Sequence, residues 1–179
     1  MDYKKLSEYI NLVIEAHQEK PLKPEKAVRT FISGESNPYF IHPVWCAMTI
    51  LQETNLPESI RLPGAEALLF HDVLEDTSAE LPDDLSQEVK DLIRSMTFND
   101  FHTEVRETLA KPPFNQLLKL YDKTATLYDG VVKSKVGKEW YNYIQNLANN
   151  VEKEYGELNI VLIAKTLLVN ERPTTKNGI

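Results

Sequence analysis

The sequence contains a single cysteine, Cys46. One thiol cannot form a disulfide within the chain or build a zinc site from cysteine ligands, so any metal has to be held by histidine and carboxylate groups. Cys46 stands among apolar residues and no basic neighbour favours a reactive thiolate. We therefore expect a small buried side chain at this position.

The chain also lacks an excess of basic residues. Lys and Arg number 20 against 27 Asp and Glu, which gives a net charge of -7. Binding a phosphate backbone without sequence preference needs a broad basic surface, so we expect no duplex nucleic acid partner. A small phosphorylated metabolite is compatible with this charge, because a bound divalent ion and a few local cations can hold a phosphate.

Long apolar runs are missing as well. The first residues lack the apolar stretch of a secretory signal, and the apolar segment 158–169 is short and interrupted by Lys165. We therefore expect no contact with a membrane and a cytoplasmic location. The chain has 179 residues, 42% of them hydrophobic, which predicts one domain that spans residues 1–179. The oligomeric state is left open.

Helical periodicity recurs along most of the chain, and no segment has a convincing strand pattern. The predicted helices cover residues 3–19, 24–32, 43–53, 64–75, 85–96, 103–111, 114–132, 140–155 and 158–170. Pro, Gly and Asn separate them; Pro57 and Pro63 bracket one link, and residues 33–38 form a loop. Without a repeat or a heptad array, this pattern predicts an all-α, bundle-like domain.

One apolar helical run, residues 65–77, carries an unusual group of polar side chains: His71, Asp72, Glu75 and Asp76. Residues four apart on a helix lie one above the other, so the four side chains are expected on one face. Three carboxylates this close repel one another unless a cation neutralises them or some hold protons. The group therefore predicts a functional site.

A mononuclear metal site needs further nitrogen or oxygen ligands from elsewhere in the chain. His42 and Asp122 also emerge from helical, otherwise apolar surroundings. Taken alone, His42 would be an ordinary helix N-terminal histidine, and Asp122 with Lys123 a surface ion pair. The remaining histidines, His17 and His102, fit no ligand spacing and are interpreted as ordinary polar positions.

The spaced set of His42, the His71-Asp72 pair and Asp122 resembles the H…HD…D signature of HD-domain metal-dependent phosphohydrolases. Three local sequences are similar to those of RelA/SpoT-type guanosine polyphosphate pyrophosphohydrolases: PYFIHP at 38–43, LFHDVLEDT at 69–77 and KLYDK at 119–123. The match covers about residues 16–132. The helices predicted within 138–170 lie outside it and are expected to pack on the matched part, so the resemblance implies a single HD-domain helical bundle.

The resemblance implies a ligand set of two histidines and two aspartates: His42, His71, Asp72 and Asp122. It implies one divalent ion, expected to be manganese, although iron, magnesium and zinc also suit these ligands. Glu75 and Asp76 are left beside the ion as the groups that activate and orient water.

On the substrate side, the resemblance implies nucleotide contacts from residues flanking the metal ligands: Arg29, Ser33, Tyr39, Lys119, Lys123 and Thr126. Two positions depart from the family pattern, because Thr126 replaces the usual Asn and Thr97-Phe98 replaces a Thr-Lys pair. The implied function is hydrolysis of a phosphoester or pyrophosphate of a nucleotide, with guanosine polyphosphate as the first candidate. Two alternatives remain open: an HD-type nucleotidase or NADPH phosphatase, and a non-catalytic nucleotide-binding module.

Overall fold

The computed structural model describes residues 3–31, 33–128 and 137–170, which are mainly helical. The α-helices are α1 Tyr3–Glu19, α2 Ile41–Leu51, α3 Glu58–Phe70, α4 Val73–Asp76, α5 Gln87–Met96, α6 Phe101–Thr108, α7 Pro113–Tyr128, α8 Gly137–Tyr155 and α9 Asn159–Asn170. The prediction of an all-α fold is confirmed. The part of the predicted seventh helix that extends to residue 132 lies outside the described residues.

Helix α7 lies at the centre of the helical packing. It contacts six other helices: α2, α3, α5, α6, α8 and α9. Leu117, Leu118, Leu120 and Tyr121 are all completely buried, so successive residues of this helix face the interior. A polar side chain in the middle of α7 is therefore forced into the core, where it needs partners.

The predicted helix over residues 24–32 is wrong. A 3-10 turn at Pro24–Lys26 is followed by strand β1, Val28–Thr30, which pairs antiparallel with β2, Ser36–Pro38. Strands of three residues are too short to show a period of two, which explains why no strand was predicted. Gly34 turns the chain between them with a φ of +86°, a conformation that favours glycine.

Helix α3 starts before Pro63, which the sequence suggested as part of a link. Pro63 lies inside the helix, where proline keeps a helical φ and removes a single backbone hydrogen bond. The following Gly64 allows a close approach to α2, since a Cβ atom there would lie 2.7 Å from Cδ1 of Ile50. The Pro-Gly pair thus accompanies tight helix packing and does not end the helix.

The helix predicted over residues 64–75 is interrupted at the polar group. Helix α3 ends at Phe70 and α4 begins at Val73, with Asp72 between them at φ -91° and ψ -7°. This backbone region is sparsely populated and common at active sites. The predicted helix is therefore divided into α3 and α4, although the backbone N–H of Asp76 still donates to the Asp72 carbonyl across the break.

Two helix starts are fixed by side chains that accept hydrogen bonds from the first turn. Ser86 accepts from Val89 N ahead of α5, and Asp100 accepts from Thr103 N ahead of α6. None of the helices in the described part of the chain is both long enough and apolar enough to cross a membrane.

Candidate metal centre

Four side chains from three regions of the chain converge in the interior. His42 lies in the first turn of α2, His71 and Asp72 lie at the break between α3 and α4, and Asp122 lies on α7. All four are buried. Helix α7 packs against α2 and α3, so the packing itself brings the residues together.

The donor atoms of these side chains lie close to one another. Nε2 of His42 is 3.3 Å from Nε2 of His71, and Oδ2 of Asp72 is 3.2 Å from the His71 nitrogen and 3.5 Å from the His42 nitrogen. Oδ1 of Asp122 is 3.3 Å from Nε2 of His42 and 3.8 Å from Nε2 of His71. Both aspartates therefore face the same pair of imidazoles.

These separations fit a set of atoms around one small cation. Ligand atoms at about 2.1 Å from an ion stand about 3.0 Å apart at right angles and about 3.4 Å apart in a tetrahedron. The measured separations between donor atoms, 3.2 to 3.8 Å, are within a few tenths of these values. Nitrogen and carboxylate donors suit a divalent ion, so the group of His42, His71 and Asp72 is compatible with a metal site beside Asp122.

The other ring nitrogen of each histidine, Nδ1, has a contact that orients the ring. Nδ1 of His71 lies 2.7 Å from the carbonyl oxygen of Leu68, to which it donates, so the lone pair of Nε2 is left to face the cluster. Sγ of Cys46 is 4.0 Å from Nδ1 of His42 and donates to the Tyr121 carbonyl. Cys46 is buried as expected, and burial raises the pKa of its thiol well above the usual value.

Burial and neighbouring charges act differently on the two histidines. Burial lowers the pKa of His42 to about 4. Burial also opposes the charged form of His71, but the carboxylates of Asp72 and Asp122 outweigh it and raise its pKa to about 9. Burial disfavours ionised Asp72, yet His71 and His42 hold its pKa at about 2. Without a metal, the cluster therefore keeps a proton on His71.

Glu75 and Asp76 lie next to the cluster on α4. The backbone N–H of Phe98 donates to Oε1 of Glu75 over 2.7 Å, and Nζ of Lys26 lies 2.5 Å from Oδ1 of Asp76. Burial and then the charge of Asp72 raise the pKa of both carboxyls, although Lys26 counteracts this for Asp76. Both groups are therefore better proton acceptors than exposed carboxylates.

A buried ion network surrounds Asp122 on its other side. Nζ of Lys119 and Nζ of Lys123 each lie 3.1 Å from Oδ2 of Asp122. Glu104 of α6 meets the same lysines, with distances of 3.5 Å to Lys119 and 3.0 Å to Lys123, and accepts a hydrogen bond from the Tyr143 hydroxyl. The two lysines are thus already paired, and they hold the pKa of Asp122 well below its usual value although burial opposes this.

The remaining residues predicted to contact substrate occupy different surroundings. The Tyr39 hydroxyl donates to Oδ2 of Asp72 over 3.0 Å. The Ser33 hydroxyl is exposed at the hairpin turn and donates to Glu35. The Thr126 hydroxyl donates to the Lys123 carbonyl, so it is turned back onto its own helix. The structure thus brings Tyr39 to the cluster, whereas the hydrogen bonds of Ser33 and Thr126 are local.

An apolar cleft of about 270 Å³ opens beside His42. Arg29 of β1 lines it together with the aromatic side chains of Trp45 and Tyr128. Its walls are mainly apolar and aromatic, which suits a flat ring better than a charged group.

A second, more polar cleft of about 530 Å³ lies on the side of α4. Glu75 and Asp76 line it with two cations, Lys26 and Lys123. Phe98 also lines this cleft, and its ring carries Nζ of Lys111 at 4.2 Å and that of Lys119 at 5.1 Å. Asp100 and Glu104 line it as well, so the cleft combines proton acceptors with two lysines, and an anion there would depend on the charge of a bound cation.

Sequence reasoning missed two residues near the site. The interpretation of His17 as an ordinary polar position is wrong, because it is completely buried and stacks on Tyr39. Its spacing from Tyr9 and Val13, both buried, was the available signal. Glu104 gave no local signal, because its partners are 15 to 39 residues away in the sequence.

Comparison with known proteins shows which solved structure has a similar fold. No family model matches the sequence, and no curated protein matches it either. A solved structure is similar to it, that of a metazoan ortholog of SpoT that hydrolyzes ppGpp and plays a role in starvation responses. The TM-score is 0.67 at 18% identity, and the similarity covers 96% of this chain and 98% of the other. The resemblance drawn from the sequence is thus confirmed for the fold: this chain has an HD-domain fold like that of a ppGpp hydrolase.

Proposed function

We propose that this chain is a metal-dependent phosphohydrolase that acts on a nucleotide, with guanosine polyphosphate as its first candidate substrate. In that reaction water would attack the phosphorus bound to the 3′ oxygen, the 3′ oxygen would leave as a hydroxyl, and pyrophosphate would be released. The main support is that carboxylate oxygens of Asp72 and Asp122 each lie 3.2 to 3.8 Å from Nε2 of His42 and of His71, directly beside two carboxylates with raised pKa values. The shared fold with a ppGpp hydrolase agrees with this proposal.

Two histidines and two aspartates would hold one divalent ion, for which manganese is our first choice among the metals that suit such ligands. The bound ion would polarise a phosphoryl oxygen and lower the pKa of water from about 15.7 towards neutrality. The protein's part is to hold the ligands in place, and the contacts of His71 with Leu68 and of Asp122 with two lysines do so.

Glu75 is our candidate for the general base. Its Oε1 atom is fixed by the Phe98 N–H, while burial and Asp72 raise its pKa and so increase its affinity for a proton from water. Asp76 would orient the same water, since its carboxylate is held by Lys26 at the edge of the polar cleft. Both roles depend on geometry that α4 supplies directly after the metal ligands.

The two clefts support a two-part substrate. A base would fit the apolar cleft with Arg29, which lies over the Tyr39 ring, and phosphates would fit the polar cleft, which Lys26 and the buried Lys123 line. Lys119 is more deeply buried, so its contribution would come through Asp122. Substrate contacts from Ser33 and Thr126 would require their side chains to leave their present partners.

The test is a release assay on the full chain reconstituted with Mn²⁺, Fe²⁺, Mg²⁺ or Zn²⁺. Phosphate and pyrophosphate are measured separately with guanosine polyphosphates, nucleoside mono-, di- and triphosphates, and NADPH. We expect pyrophosphate from guanosine 3′-diphosphates with Mn²⁺, and its loss in Asp72→Ala. Asp84→Ala is the matched control, since Asp84 is an aspartate that pairs with Lys5 and Tyr9 away from the cluster.

The other outcomes identify the alternatives. Phosphate release from NADPH or from a nucleoside monophosphate, with no turnover of guanosine polyphosphate, would replace the proposed substrate and keep the hydrolase. Tight binding of a nucleotide without turnover in any metal would overturn the enzyme proposal in favour of a binding module.

A further inference from the structure

Tyr39 is fixed from several directions although it belongs to the short segment between β2 and α2. His17 of α1 stacks on its ring, with centroids 4.9 Å apart and planes inclined by 29°. The guanidinium carbon of Arg29 lies 5.6 Å from the ring centroid. The backbone N–H of Tyr39 donates to the Ala27 carbonyl, and its own carbonyl accepts from His42 N. The phenol therefore has little freedom of direction.

His17 is an unusual residue to place against this ring. It is completely buried, and neither ring nitrogen has a hydrogen-bond partner among the residues that the structure describes. Burying an imidazole without partners is costly, so the position is not explained by its own polar contacts. Its ring contact is with the face of Tyr39.

The hydroxyl of Tyr39 reaches the candidate metal ligands and not the apolar cleft. It donates to Oδ2 of Asp72, the same atom that lies 3.2 Å from His71 Nε2 and 3.5 Å from His42 Nε2. A carboxylate oxygen has two lone pairs, so it can accept this hydrogen bond and still face a cation. Polar partners of this kind orient metal ligands.

We propose that Tyr39 is a positioning residue for Asp72, and that His17 acts through it by keeping the phenol ring in place. This inference rests on the proposed metal site. It gives Tyr39 a role different from the substrate contact that the sequence resemblance implies, because its hydroxyl already donates to Asp72 and its other hydrogen-bond neighbour is Asp76. Helix α1 thereby becomes part of the site, although it supplies no ligand.

Tyr39→Phe removes the hydroxyl and leaves the stacked ring. The matched control is Tyr9→Phe, which removes a phenol hydroxyl bonded to Oδ1 of Asp84 at 3.2 Å. Mn²⁺ binding to the metal-free full chain is measured by isothermal titration calorimetry without nucleotide. We expect Tyr39→Phe to weaken Mn²⁺ binding by about 10- to 100-fold, the usual range for such partners, and Tyr9→Phe to change it by less than about twofold. Unchanged Mn²⁺ affinity in Tyr39→Phe would overturn the proposal.

Kinetics separate this role from a substrate contact. At saturating Mn²⁺, we expect the KM of Tyr39→Phe for nucleotide to stay within about twofold of wild type, since the affected step is metal binding. A raised KM together with normal Mn²⁺ affinity would mean that the hydroxyl meets the substrate, and would refute the inference.

The link to His17 is tested by a double-mutant cycle. His17→Ala should weaken Mn²⁺ binding in the wild-type background and have little further effect in Tyr39→Phe, because the two changes act through one contact. His17→Phe, which restores a stacking ring, should recover most of the affinity. Equal losses from His17→Ala in both backgrounds would break the link. Because these titrations use no nucleotide, a chain that binds Mn²⁺ but never turns over substrate fails the proposed function and leaves this inference standing.

Discussion

Replacing Glu75 with Gln separates the proposed general base from the structural role of the same side chain. A glutamine can still accept the Phe98 N–H at Oε1, so the loop after α5 keeps its contact. A positioned general base contributes about 10²- to 10⁴-fold, or about 2.7 to 5.4 kcal/mol of the barrier. We therefore expect kcat to fall by at least about 100-fold while the affinity for Mn²⁺ is retained.

Stability should move in the opposite direction. Burial and Asp72 raise the pKa of Glu75 above 4.5, which means that its ionised form at neutral pH destabilises the folded chain. The neutral glutamine removes this cost, so thermal unfolding of metal-free Glu75→Gln should occur at the wild-type temperature or slightly higher. A loss of activity caused by damaged folding would instead lower that temperature.

Glu66→Gln is the matched control for both measurements. Glu66 is a half-buried carboxylate of α3 whose pKa is also raised by burial, but its charged neighbours are Lys5 and Asp84. We expect full activity from this variant at saturating Mn²⁺. The reasoning is refuted if Glu75→Gln keeps kcat within about threefold of wild type, or if Glu66→Gln loses as much activity.

Three further expectations follow from individual contacts. Gly64→Ala should lower the free energy of unfolding, measured with urea, by up to about 2 kcal/mol. A Cβ atom at 2.7 Å from Ile50 Cδ1 costs about 1 to 3 kcal/mol, and the higher helix propensity of alanine offsets about 1 kcal/mol of this. Adding Ile50→Val should relieve the clash, and a single variant more stable than wild type would contradict the close packing. Ser86→Ala should lower stability by about 1 kcal/mol without changing kcat, since it removes the cap on Val89 N. Because the pKa of His71 is about 9, Mn²⁺ must displace a proton from this residue at pH 7, so the affinity for Mn²⁺ should rise as the pH approaches 9. Calorimetry in buffers of different ionisation enthalpy counts the released proton. An affinity for Mn²⁺ that does not change with pH would exclude this proton release.

Much of the helical fold follows from periodicity, and the exceptions have local physical reasons. Helix α1 was predicted at Tyr3–Glu19, as observed, because its apolar residues recur at helical spacing up to a proline. The hairpin of β1 and β2 was missed because its strands are three residues long and a proline at position 24 also suits a helix start. Pro63 was misplaced because proline usually marks a helix boundary in a sequence, whereas α3 continues through it.

In the candidate site too, residues within local motifs could be predicted, whereas long-range contacts could not. His42, His71, Asp72 and Asp122 were named from short motifs, since each sits in a local sequence that a family can share. Their assignment as metal ligands stays a prediction. The role of Glu104 could not be predicted from such motifs, because its partners come from α7 and α8 and only the tertiary packing brings them together. The burial of His17 had a signal in its helical spacing, but its contact with Tyr39 had none.

The charges buried around the cluster give a reason why the proposed metal site would favour an anion. With His71 protonated, the buried groups carry four negative charges, from Asp72, Asp76, Asp122 and Glu104, and three positive ones, from His71, Lys119 and Lys123, while Lys26 pairs with Asp76 and balances the sum. Exchange of the His71 proton for a divalent ion adds one net positive charge. Since an uncompensated charge in a low-dielectric interior is costly, the loaded site gains most from a partner that brings negative charge, as a phosphate or hydroxide does. Lys119 and Lys123 matter here although both are paired, because without them Asp122 and Glu104 would cancel the ion's charge and weaken the attraction for phosphate.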